Sequence, residues 1–215
     1  LVLADTSSAR MLKGKLSRAL LGARIMEGPV NVESRRNENE AGIWLEASHD
    51  GYVGLFGLRH CRRLFLSATG EDLRGEDRLE SVSQPPAWFW QPRYWSKPVE
   101  DPDFTIRFHI HPDARISLAH DRTNVLVLLP NGDGWQFRAR SGGGECEIAI
   151  EESVYLGSGD TTRRAEQIVV AGRVFRGEAR VNWAWRRLST RNAGHPKRED
   201  DILPELPDLD LPPGV

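Results

Sequence analysis

Phe104-Thr-Ile-Arg-Phe-His-Ile-His111 alternates apolar and polar side chains without a break, and a period of two is the mark of a strand with one buried face. Phe104, Ile106, Phe108 and Ile110 fall on one side, Thr105, Arg107, His109 and His111 on the other. Outward from this stretch the same alternation recurs at 125–129, 135–140, 145–156, 163–170 and 179–188. Between these segments stand Asn131-Gly-Asp-Gly134, Ser141-Gly-Gly-Gly144 and Gly157-Ser-Gly159, which supply the positive-φ positions of tight hairpins. Upstream, 30–37 and 42–47 read as a hairpin, 52–67 as one long strand or two collinear ones, and 68–71 as a turn into 72–79. The expected fold is all-β: a multi-stranded antiparallel β-sandwich of supersandwich type.

Helical spacing is confined to 8–21, where Met11, Leu12, Leu16 and Leu20 recur with Ser7 or Ser8 as a cap. Gly14 and Gly22 weaken that segment, so it reads either as a short helix near the N-terminus or as a loop with one helical turn. Residues 84–102, with Pro85-Pro86, Trp88, Trp90, Tyr94 and Trp95, are too rich in proline for a central strand and too aromatic for a free linker. They suit a packed loop, either a lid over the core or a surface that stacks on sugar rings. From Arg191 the chain turns charged, then acidic and proline-rich, the composition of a disordered tail. The division expected is one sandwich domain over 1–190 and a tail over 191–215.

A chain of 215 residues can bury one substantial core. Lys and Arg number 29 against 31 Asp and Glu, a net charge of -2, so no basic excess exists to hold a nucleic-acid backbone or an anionic membrane. No apolar run is long enough to insert in a bilayer as a helix. Cys61 and Cys146 lack CxxC or Cys/His spacing, which indicates neither a zinc ribbon nor a disulfide framework. Walker, GxGxxG, GxSxG and HExxH signatures do not occur. The chain starts at Leu1 without a leader pattern, which leads to the expectation that it is a portion of something longer.

Chemistry-bearing residues concentrate in Ser48-His-Asp-Gly-Tyr52, Arg59-His-Cys-Arg-Arg63, Gly75-Glu-Asp-Arg78 and His109-Ile-His-Pro-Asp113. Arg62 and Arg63 point to opposite sheet faces, so at most one can serve a common ligand. A guanidinium suits a carboxylate or sulfate, and equally a solvated strand face. Trp183 and Trp185 share one face of the last strand and read as core.

Taken in order with Leu1-Val-Leu-Ala-Asp5, Trp44-Leu-Glu-Ala-Ser-His-Asp-Gly-Tyr52, Gly70-Glu-Asp-Leu-Arg-Gly-Glu-Asp77, Glu152-Ser-Val-Tyr-Leu156 and Glu166-Gln-Ile-Val-Val170, these segments resemble the heparinase II/III-like polysaccharide lyases, in their C-terminal β-domain. The resemblance implies a two-part enzyme in which an N-terminal α/α toroid and the sandwich share a cleft for acidic polysaccharide. It implies β-elimination at a uronic acid, a chemistry that needs a base and an acid beside the C5 proton and the C4 oxygen. His49 is the catalytic candidate carried over, with Tyr52 as an assisting acid or base or a sugar-stacking surface; Arg62 and Arg63 are the substrate-binding candidates by residue type. His49 with Asp50 could instead cap a turn, and Tyr52 could be a half-buried strand residue. Zinc is also implied, on His60, Asp77 and His109, with His49 and His111 as alternatives; the other reading is a polar strand face with an ion pair such as Arg107 to Asp77. A periplasmic or cell-envelope location rests on the resemblance alone. The rival function is a carbohydrate-binding or supporting sandwich that cleaves nothing.

Overall fold

The computed structural model describes residues 1–12, 14, 22, 24–82, 101–142, 146–157 and 161–188. In chain order run β1 (Val2–Leu3), β2 (Arg10–Met11), β3 (Ile25–Glu27), β4 (Val32–Asn39), β5 (Gly42–His49), the helical turn α1 (Val53–Phe56), β6 (Leu58–Ser67), β7 (Asp72–Ser81), β8 (Asp103–His109), β9 (Arg115–Leu118), β10 (Asn124–Leu128), β11 (Gly134–Ser141), β12 (Cys146–Leu156), β13 (Thr162–Arg173) and β14 (Glu178–Leu188). They build a four-stranded sheet, β1-β8-β13-β12, and an eight-stranded sheet, β4-β5-β6-β7-β14-β11-β10-β9, beside the small ribbon β2-β3. All pairings are antiparallel. The alternation in the sequence thus yields the all-β sandwich expected of it.

The face of β8 that carries Phe104, Ile106 and Phe108 pairs with Gly172, Val170 and Ile168 of β13, and this apolar surface meets Val125, Val127, Phe137, Val181 and Trp183 of the larger sheet. Phe108 lies at the centre, its ring 4.9 Å from both Phe137 and Trp183. Burial of such side chains is the main stabilising contribution, and truncating the fully buried Phe137 to Ala should cost ~3–5 kcal/mol.

Four strands cannot cover eight. No residue of β4 or β5 belongs to the core cluster. β4 is exposed along its whole length, and on the core-facing side Leu45 and Leu66 are each 39% exposed. The larger sheet therefore carries an uncovered flank over β4, β5 and the adjoining part of β6, at least among the described residues.

Several local expectations need correcting. The helical turn described is Val53–Phe56; of the segment 8–21, Arg10–Met11 pairs with Ile25–Glu27, and residues 13 and 15–21 lie outside the described residues. The strand expected from Tyr52 starts at Leu58, because α1 intervenes and Gly57, in the left-handed conformation at φ 67, ends it. β8 stops at His109 rather than His111, although Ile110 N–H still bonds the Glu166 carbonyl. β9 was not expected: Arg115–Leu118 is four residues long, too short for its alternation to stand out. The aromatic loop at 84–102 and the tail at 191–215 fall almost entirely outside the described residues, as does the boundary at 190.

Candidate functional site

Four neighbouring strands bring one polar group together at the border between the core and the uncovered flank. His49 closes β5 opposite His60 of β6; Arg62 of β6 stands opposite Asp77 of β7; Asp77 lies beside Val181 of β14, two residues before Trp183. Because side chains alternate along a strand, the polar members all project to the core-facing side of the larger sheet.

Asp77 is the hub. Its Oδ1 accepts from His60 Nε2 at 2.7 Å and Arg62 Nε at 2.8 Å. Its Oδ2 accepts from Arg62 Nη2 at 3.0 Å and Trp183 Nε1 at 2.8 Å. Burial alone would raise this carboxyl, but the hydrogen bond from His60 and the charge and hydrogen bonds of Arg62 outweigh it and hold the group at about 2. A carboxylate so satisfied is a fixed anion inside a core, and such a group is costly to leave without partners.

From Asp77 the hydrogen bonds run outward in one direction. His60 Nδ1 lies 3.1 Å from His49 Nε2, and His49 Nδ1 accepts the Gly51 N–H at 3.2 Å. The Gly51 amide can only donate, so His49 carries its proton on Nε2 and gives it to His60 Nδ1, and His60 gives its own to Asp77. The hydrogen-bond roles of both imidazoles are thereby fixed. Burial, and then the proximity of His60, keep His49 below its usual value. Asp50 fastens the adjoining turn by accepting from the backbone N–H groups of Val30 and Asn31 and from the Asn31 amide.

Tyr52 is fully buried in the core cluster. Its hydroxyl donates to the Leu1 carbonyl at 2.7 Å, and burial pushes its ionisation up. Arg63 projects to the opposite face, where it is 6% exposed beside Glu46, 3.4 Å away, and Glu76. Arg62 differs: its side chain keeps 35% of its surface. Its Nε and one Nη2 hydrogen serve Asp77, and its remaining N–H groups have no partner among the described residues.

His109 does not join His60 and Asp77. It lies on the outer face of the four-stranded sheet with Nδ1 2.8 Å from Ser153 Oγ. His111 packs edge-on against Tyr155, and Asp113 pairs with Arg163. No group of three or more His, Cys, Asp or Glu among the described residues is arranged to hold a metal ion. Zinc on Asp77 would have to displace Arg62, His60 or Trp183 from oxygens that are already fully used, next to a guanidinium that repels it. The residues present do not fit the metal that the resemblance implied. The partner of Asp77 is Arg62, not Arg107. Sequence reasoning did not find Trp183 as a member of the group; the only signal was its place among core tryptophans.

The description of a protein family, Heparinase II/III-like, C-terminal, matches residues 1–184. The chain belongs to this family. Among solved structures with the heparinase II/III-like fold, heparan sulfate lyase HepC from Pedobacter heparinus aligns at a TM-score of 0.57 and 10% identity, over 78% of this chain and 23% of that one. Heparinase III aligns at 0.58 and 10%, over 79% and 23%. At such identity the likeness is one of fold. FtsZ-localized protein C from Caulobacter vibrioides is 38% identical over 182 residues, 84% of this chain and 29% of that protein. The chain thus spans less than a third of the length of each of these relatives.

Proposed function

We propose that this chain is the β-sandwich half of a protein that takes uronate-containing, acidic polysaccharides into a cleft shared with an N-terminal α/α toroid, and that it contributes to β-elimination by neutralising the uronate carboxylate. The single observation that carries this reading is the posture of Arg62. One edge of its guanidinium is clamped on Asp77, the other N–H groups have no partner among the described residues, and the side chain keeps 35% of its surface. A pre-oriented guanidinium matches a carboxylate through paired hydrogen bonds. Removal of the C5 proton pushes negative charge onto that carboxylate before the C4–O bond breaks and the C4–C5 double bond forms. Donors already aimed at the group lower the barrier at that moment.

His49 and Tyr52 fit proton transfer less well than they fit support. His49 Nδ1 has to give up the Gly51 N–H before it can take a proton, and the Tyr52 hydroxyl is buried and committed to Leu1. The base and the acid are therefore assigned to the toroid, with His49 helping to set the wall of the cleft. The test is made in the parent protein, by the ultraviolet absorbance of unsaturated uronate released from heparan or alginate. Arg62→Ala should lower turnover by about 10- to 100-fold, the worth of charge-assisted hydrogen bonds, and Arg62→Lys should recover only part of it. An Arg62→Ala protein with ordinary turnover contradicts the reading.

A second reading is binding without cleavage. What favours it is the 38% identity to a protein named for its localisation with FtsZ, against 10% to the lyases. Saturable binding of a uronate oligosaccharide by the parent, with no unsaturated product, would select it.

A further inference from the structure

Trp183 does more than fill the core. Its indole N–H donates to Asp77 Oδ2 at 2.8 Å, across strands whose residues are 106 positions apart in the chain. The ring reaches that oxygen because the residue opposite it on β7 is Gly75. A Cβ there would stand 2.1 Å from Trp183 Cζ2, far inside any tolerable contact. On its other side the indole meets Phe108 of the four-stranded sheet in an edge contact at 4.9 Å and 73°. Trp185, two residues on, shares this core packing, with its ring 4.8 Å from Phe137 and 6.2 Å from Phe108, but no bond to Asp77 is seen for it.

We infer that Trp183, seated in the slot left by Gly75 and held by Phe108, is the positioning residue that aims Arg62 at its ligand, so that the packing of the two sheets sets the recognition of an acidic sugar. The physical reason lies in the geometry of a carboxylate. Arg62 binds Asp77 side-on through Nε and Nη2, and this arrangement fixes the direction of the open guanidinium edge only while the carboxylate plane is fixed. His60 restrains Oδ1, and Trp183 restrains Oδ2. With the indole donor gone, Oδ2 is held by Arg62 alone and the carboxylate and guanidinium can swing together. Support of this kind, one layer behind the contacting group, governs how well a site is pre-organised. No metal is needed for the arrangement, since the guanidinium supplies the fixed positive charge at Asp77.

The inference rests on the reading of Arg62 as a carboxylate-binding residue, and the experiment separates the two. The chain is labelled with 15N-arginine and its Arg62 Nε–H signal followed for exchange with solvent. Binding of a glucuronate-containing tetrasaccharide to the parent protein is measured by calorimetry. Trp183→Phe and the isosteric replacement of Trp183 by benzothienylalanine both remove the N–H, the second without altering the shape of the core. Trp185→Phe serves as a control that loses packing only. The expected result is that both changes at 183 lose the exchange-protected Arg62 signal and weaken binding about tenfold, while Trp185→Phe keeps both. The inference is overturned if the benzothienyl protein keeps the protected signal, or if Trp185→Phe loses it to the same extent. If the signal is lost as expected but no protein, the unaltered parent included, binds the tetrasaccharide, the positioning of Arg62 stands and the glycan reading falls.

Discussion

Two clusters of histidine, acid and arginine occupy opposite parts of the sandwich, and they differ in how they are satisfied. The group around Asp77 is buried, draws on β5, β6, β7 and β14, and uses four donors on one carboxylate. The group on the outer face of the four-stranded sheet, with His109 on Ser153, His111 against Tyr155 and Asp113 on Arg163, is a set of separate, largely exposed pairs. Residue types alone do not distinguish them. Burial does: an interaction taken out of water is costly to break and able to fix a neighbour, whereas an exposed pair is screened and contributes little. That contrast is the reason the proposal rests on Arg62 rather than on the rim.

The contrast can be broken by substitution. Asp77→Ala should have the largest effect, ~3–5 kcal/mol in urea unfolding, because it leaves a buried imidazole, an indole N–H and a guanidinium without their acceptor. A loss comparable to that of a surface substitution would show that the hub is not the anchor described.

Acid sharpens the same comparison. Asp77 sits at about 2 in the fold against an ordinary 3.8, so its contribution, roughly 2 kcal/mol, is present above 3.8 and is lost as pH falls through about 2. His49 acts earlier in the same direction. Its imidazole is held below 6.5, the unfolded chain takes up the proton first, and stability declines as pH drops below 6.5 toward the lowered value. Unfolding free energies measured from pH 7 to pH 2 should show both declines, and Asp77→Asn should make the lower one shallower, leaving what Asp50, Asp113, Asp121 and Asp133 contribute. A flat profile would contradict the picture.

Smaller still is the expected effect at the rim. His109→Ala should change stability by less than about 0.5 kcal/mol, and a metal chelator should leave the melting temperature of the chain unchanged. A large drop in either experiment would mean that the histidines of the two sheets act together after all.

The fold was legible because a period of two survives in the strands that build the core: Phe104, Ile106 and Phe108 stand there as their spacing predicts. β9 escaped because four residues are too few to show a period, and α1 because Gly57 ends it within one turn. The site was legible only in part. His49, His60, Arg62 and Asp77 lie in adjoining hairpins, so local pairing brings them together. Trp183 could not be added from the chain alone, since its place beside Asp77 depends on β14 inserting next to β7. Residue type groups His109 with the same site, but the layering of the sheets sends it to an outer face. The zinc that the resemblance implies fits poorly beside Asp77 for a related reason: no sequence pattern announces that a guanidinium already bonds this carboxylate.

A structure of the parent protein with a uronate oligosaccharide bound would show the role of Arg62 outright. A sugar carboxylate should lie about 2.7–2.9 Å from the N–H groups of Arg62 that Asp77 does not use, with Asp77 still bonded to His60, Arg62 and Trp183. A carboxylate seated elsewhere, with Arg62 turned into solvent or Asp77 released from its partners, would contradict it.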